Sequence, residues 1–89
     1  MMVKSLEKVG EIIHYFTKIS VAVVDVSSPL RLGDQIAIKG MTTNFEQKVG
    51  SMQIEGENIE EAKAGDDIGM KVADRVRKGD IVYRLVEQV

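Results

Sequence analysis

"VRKGDIVYRL", residues 76–85, sets a Gly-Asp pair directly before an apolar run. The same arrangement stands earlier in "RLGDQIAIKG" (31–40) and in "KAGDDIGMKV" (63–72). Gly takes positive φ at no steric cost, and Asp hydrogen-bonds back to nearby backbone groups, so each pair predicts a tight turn. Beyond each turn the side chains alternate. Ile36 and Ile38 share one face, against Gln35, Ala37 and Lys39. Ile81, Tyr83 and Leu85 share one face, against Val82, Arg84 and Val86. Period-two alternation bounded by Gly and Asp marks a strand. The sequence thus uses one device, a turn that launches a strand, three times. Gly33, Asp34, Gly65, Asp66, Gly79 and Asp80 are read as structural.

Working outward, "VGEIIHYF" (9–16) reads as a first strand and the β-branched run "KISVAVVDV" (18–26) as a second. Thr17 and Lys18 make the join, which lacks Asn-Gly chemistry and suits a bulge or bend as well as a tight hairpin. "SSPLRLGD" (27–34) is a loop holding the only proline, Pro29, and "QIAIKG" (35–40) is a third strand. "MTTNF" (41–45) is a second loop and "EQKVGSMQI" (46–54) a fourth strand, where Gly50 marks a bulge or a close backbone approach. "EGENIEEAKAGDD" (55–67) reads as a short strand near 58–60 or a single turn. "IGMKVA" (68–73) and "IVYRLV" (81–86) complete the set. No segment carries a long 3.6-residue period. Six or so short strands at this spacing suggest a small barrel or sandwich, and a barrel removes exposed sheet edges.

The chain has 89 residues, enough for a single domain over 1–89, with 1–7 expected to be a loose N-terminal segment. Hydrophobic content of 44% supports a real but small core. The absence of Cys excludes disulfides, Cys-based zinc sites and a Cys nucleophile. No apolar run approaches the ~18 residues of a membrane span. "MMVKSLEKVG" does not read as a secretion signal, and these features favour a cytoplasmic location with no membrane partner. The net charge of −2 lacks the basic balance of a typical nucleic-acid binder. Its distribution is uneven: residues 55–67 hold six acids and one Lys, and residues 71–84 hold five bases and two acids. Two solvated edges, or a surface with a directional field, fit that pattern.

Catalytic equipment is sparse. His14 is the only histidine, and no nucleophile motif accompanies Ser5, Ser20, Ser27, Ser28 or Ser51. One His with scattered carboxylates gives no metal-ligand spacing, loose calcium binding at Asp66 and Asp67 being the one alternative. No GxxxxGK[ST] or GxGxxG is present, so no cofactor and no GTP binding are expected. Arg75, Arg77, Lys78 and Arg84 are the strongest functional candidates, because phosphate recognition favours Arg and Lys gathered on one face. Phe16 and Phe45 are read as core. The "MTTNF" loop supplies Thr42 and Thr43 on a surface where loops often carry function.

"LRLGDQIAIKG" followed by "AKAGDDIGMKVADRVRKGDIVYRL" resembles the second domain of translational GTPases such as elongation factor Tu. The order of a Gly-Asp strand start, an "AGD-IG" turn and a second Gly-Asp strand start carries the likeness. The segments "GEIIHYFTKISVAVVDV", "IKGMTTNFEQKVGSMQIEGENIEEAKAGDDIGMKV" and "DRVRKGDIVYRL" are more closely similar to short translation elongation factor-like proteins. Those resemble in turn the C-terminal domain of collagenase-like peptidases, some of which act in tRNA hydroxylation. The resemblance implies a closed antiparallel Greek-key barrel of six or seven strands. It implies no GTPase or peptidase activity, since both reside outside this domain. Gln53, Gly56 and Asp67 do not reproduce the Glu, Arg and Asn pattern with which the elongation factor domain holds aminoacyl-tRNA.

Two functions follow as expectations. The first is a non-enzymatic module that binds RNA (tRNA or rRNA) or a ribonucleoprotein, with Arg75, Arg77, Lys78 and Arg84 on phosphates and Thr42 and Thr43 beside them. The second is a protein-docking module that acts with a collagenase-like catalytic partner.

Overall fold

The structure, a computed structural model, describes residues 3–88. Ten strands follow in chain order: β1 (Val3–Phe16), β2 (Val21–Val26), β3 (Leu30–Arg31), β4 (Gln35–Lys39), β5 (Asn44–Lys48), β6 (Met52–Ile54), β7 (Glu57–Asn58), β8 (Glu61–Ala62), β9 (Asp67–Lys71) and β10 (Ile81–Gln88). Every pairing is antiparallel, and no helix occurs among the described residues. The expected all-β antiparallel class is the one adopted.

All three Gly-Asp turns have the same construction. In each, the third residue has positive φ: 87° at Gly33, 95° at Gly65 and 95° at Gly79. Type II turns require this at that position, where a Cβ would be strained. The Asp N–H then donates to the carbonyl three residues back, on Arg31 (3.1 Å), Lys63 (3.0 Å) and Arg77 (3.0 Å). The Asp carboxylate accepts the N–H of that same residue, at 2.9, 2.8 and 2.8 Å. Each turn is closed from both sides, and each delivers the chain into β4, β9 or β10.

Eight strands join in the order β5-β4-β10-β1-β2-β9-β6-β7, and β3 pairs β8 separately. β1 is the spine. Its first part pairs β10 and its second part β2, with Gly10 and Glu11 common to both ladders. The register slips between Lys8 and Gly10 and again between Ile12 and His14. Such bulges bend a strand and raise its twist. The sheet therefore curls around one core, in which Ile12, Val24, Ile36, Ile68, Met70 and Val82 are fully buried. A Cβ at Gly10 would lie 2.6 Å from Val24 Cγ1 and 2.9 Å from the Asp25 carbonyl oxygen, so β1 and β2 meet closely only because that position is glycine.

Several local expectations change. The single strand read over 46–54 is two strands in different parts of the sheet. Val49 leaves β5 to exchange backbone bonds with the Gly33-Asp34 turn, its N–H donating to the Asp34 carbonyl at 2.9 Å and its carbonyl accepting from Gly33 at 2.9 Å. Gly50 and Ser51 then carry the chain across to β6. The second strand begins at Val21 rather than 18, because Ser20 at φ 55° closes a turn over 17–20. Of the segment 1–7 expected to be loose, residues 1–2 lie outside the described residues and 3–7 pair in register with β10. Phe16, read as core, is 46% exposed and stands edge-on to His14 at a centroid distance of 4.4 Å.

The ladder found is open. It ends at β5 and at β7, with no backbone pairing between them among the described residues. The Gln47 side chain reaches from β5 to the end of β9, donating to the Lys71 carbonyl at 3.0 Å and accepting from the Ala73 N–H at 2.6 Å.

Candidate functional site

Two connections meet at one end of the curled sheet. The first is the four-residue turn between β4 and β5, residues 40–43, closed by the Gly40 N–H on the Thr43 carbonyl at 2.8 Å. The second is the segment between β9 and β10. Val76, 1% exposed, anchors the middle of that segment in the core. Arg75 and Arg77 flank Val76 and are both exposed, as alternation about a buried residue requires. The Asp74 carboxylate accepts the Arg75 N–H at 2.7 Å, and the Asp80 carboxylate accepts the Arg77 N–H at 2.8 Å.

Asp80 is 5% exposed and lies against both connections. Besides holding Arg77, its carboxylate occupies the space that a Cβ at Gly40 would need. The glycine that opens the β4–β5 turn and the aspartate that closes the β9–β10 turn therefore fit into each other. Between the two connections lies an open cavity of about 240 Å³, lined by Thr42, Thr43, Asn44, Phe45, Asp74, Arg75 and Arg77.

Four of the six residues singled out from the sequence, Thr42, Thr43, Arg75 and Arg77, come together here. Lys78 is exposed in the neighbouring turn and does not line the cavity. Arg84 is elsewhere. Its guanidinium donates to the Pro29 carbonyl at 2.9 Å and to Glu7 at 2.9 Å, and stands 3.8 Å from Asp34. Arg84 follows the Gly79-Asp80 turn in β10 and does not line this cavity with Arg75 and Arg77. Asn44, Phe45 and Asp74 were not singled out as site residues. The first two stand in the "MTTNF" loop that was, whereas Asp74 carries no local signal.

The other candidates are placed as follows. Asp66, weighed for calcium, spends its carboxylate on the Lys63 N–H at 2.8 Å. No group of three or more His, Asp or Glu that could hold a metal occurs among the described residues. The acidic stretch forms the tight β6–β7 turn, where Glu55 and Gly56 take φ of 50° and 80°, and then β8, where Glu61 pairs with Arg31 at 3.2 Å. A second, larger cavity of about 340 Å³ opens beside it, lined mainly by Leu32, Ser51, Met52, Asn58 and Ile59.

Comparison with known proteins bears on this arrangement. No family model matches the chain. An uncharacterized protease of Methanocaldococcus jannaschii is 40% identical over 83 residues, 92% of this chain but 20% of that protein. A collagenase of Porphyromonas gingivalis is 38% identical over 78 residues, 85% of this chain and 22% of that protein. The chain thus spans about a fifth of the length of these relatives. Among solved structures, the C-terminal domain of a Geobacillus thermoleovorans "putative U32 peptidase" superposes with a TM-score of 0.83 at 21% identity, covering 88% of this chain and 91% of that domain. The collagenase-like half of the expected resemblance has this support, and the likeness to translational GTPases does not draw on it. The chain is therefore similar, over nearly all its length, to about one fifth of a protein named a protease and of one named a collagenase, and has the fold of a C-terminal domain from a protein described as a "putative U32 peptidase".

Proposed function

We propose that this chain is a non-catalytic docking module that acts with a collagenase-like, peptidase-family catalytic partner. One observation carries the reading: 92% of the chain matches only 20% of a relative named as a protease, so the matched stretch is a minor part of that protein. A small module that accompanies a larger catalytic unit works through surface contact. RNA binding, placed first from the sequence, finds no support in the comparisons and gives way to docking. We also read the curled sheet as a barrel of the Greek-key type whose seam Gln47 bridges by its side chain.

Co-purification tests the reading. The tagged chain, drawn from its own cells at moderate salt, should bring down a collagenase-like protein in constant ratio. Recovery of tRNA or ribosomal RNA in place of such a protein overturns it.

A further inference from the structure

We infer that the cavity between the β4–β5 turn and the β9–β10 segment binds the side-chain carboxylates of an acidic segment of a protein partner. The inference rests on the docking reading for its choice of protein over nucleic acid, and on the charges of the cavity for its choice of acid.

The chain contains four arginines. Arg31 is matched by Glu61 at 3.2 Å, and Arg84 by Glu7 at 2.9 Å. Arg75 and Arg77 have no carboxylate within ion-pair distance among the described residues, and both line the same cavity. Two guanidinium groups on one wall offer paired N–H donors in the fork geometry that fits a carboxylate bidentately. Their backbone is fixed from three sides, by Asp74 on the Arg75 N–H, by Asp80 on the Arg77 N–H and by Val76 in the core. A site whose frame is already ordered loses less entropy on binding.

The opposite wall supplies neutral donors. Exposed Thr42 contributes a hydroxyl, while Thr43, 5% exposed, lines the cavity with little surface of its own. The Asn44 side-chain Oδ1 accepts from the Lys39 ammonium at 3.2 Å, which leaves the side-chain NH2 as a donor. Half-buried Phe45 gives an apolar surface on which the methylenes of a Glu side chain can rest. Asp74 sets the limit on charge density. A continuous polyanion would bring successive phosphates past this carboxylate on a chain of net charge −2, whereas separate carboxylates on a peptide can straddle it.

The test is a titration of the ¹⁵N-labelled chain with a blocked Glu-Gly-Gly-Glu peptide, and in parallel with a short oligouridine RNA, read by amide shifts. The expected result is that the peptide moves the amides of 42–45 and 74–77, and that R75Q/R77Q weakens its binding about tenfold or more. R75K/R77K keeps the charge but loses the fork, so it should recover only part of the affinity. Both arginines are exposed, and unchanged amide shifts elsewhere in the variants report that the fold is intact. Peptide shifts that leave these residues unmoved, full binding by R75Q/R77Q, or binding of the RNA and not the peptide would each overturn the inference. A collagenase-like protein that still binds R75Q/R77Q at full strength would overturn it too, while leaving the docking reading in place on another face.

Discussion

Asp80 and Arg77 are tied to each other twice through the backbone of Arg77. The Asp80 carboxylate accepts the Arg77 N–H at 2.8 Å, and the Asp80 N–H donates to the Arg77 carbonyl at 3.0 Å. One turn therefore starts β10 and also fixes an arginine on the wall of the cavity. Replacing Asp80 by Ala leaves a partly buried N–H without its partner and should cost about 1–3 kcal/mol. Asp66→Ala removes the same bond from a more exposed turn and should cost less, about 1 kcal/mol. Urea midpoints of the two variants at constant m-value check the order. Equal losses would mean that the burial of Asp80 contributes nothing to its effect.

Gly40 tests the fit between the two connections. Its Cβ would overlap the Asp80 carboxylate, so Gly40→Ala must displace the β9–β10 turn or the β4–β5 turn. A loss of about 1–3 kcal/mol is expected, as for overpacking elsewhere. Amide shifts at Thr42, Thr43 and Arg77 should accompany it. Gly50→Ala is the control: no atom lies within 4 Å of its Cβ position, and its stability should stay within about 0.5 kcal/mol of the parent.

Arg84 is the paired arginine, set against the two that line the cavity. Arg84→Met keeps the aliphatic stem but drops the bonds to the Pro29 carbonyl and to Glu7. The side chain is 26% exposed, so the ion pair is partly screened and the loss should be about 1 kcal/mol. Binding of an acidic peptide should be unchanged. A variant of unchanged stability and weakened binding would return Arg84 to the site.

Gln47 tests the seam. Gln47→Ala removes both side-chain bonds between β5 and the end of β9. The Ala73 amide should exchange with solvent faster than in the parent chain, and the unfolding free energy should fall by about 1 kcal/mol. Unaltered exchange at Ala73 would show that the sheet keeps its curl without this bridge.

The parts of the fold written in local chemistry were legible in the sequence. Gly33, Gly65 and Gly79 each precede an Asp, and positive φ followed by a carboxylate turned back on the chain needs nothing distant. The alternation in β4 was readable from Ile36 and Ile38, which enter the core, whereas in β10 the fully buried side chain is Val82 and not the face of Ile81, Tyr83 and Leu85. The break at Val49 was not readable. Val49 leaves the strand to bond with the Gly33-Asp34 turn, a partner some 15 residues away along the chain, and only Gly50 hinted at an interruption. Phe16 misled for a different reason: the bulge between Ile12 and His14 shifts the phase of β1, which sets Phe16 opposite Val21 on the outer face. Thr42, Thr43, Arg75 and Arg77 were singled out by residue type, and what brings them to one cavity, the fit of Asp80 and Gly40 across two loops, carries no signal in the sequence.

The proposed role requires that the chain dock on a collagenase-like protein. Its most direct test is sedimentation of the fluorescently labelled chain mixed with the purified collagenase-like protein of the same cell, run beside a mixture with bulk tRNA at the same moderate salt. A docking module forms a saturable, faster-sedimenting complex with the protein and none with tRNA. A complex with tRNA that dissolves steeply as salt is raised, together with no association with the protein, would contradict it.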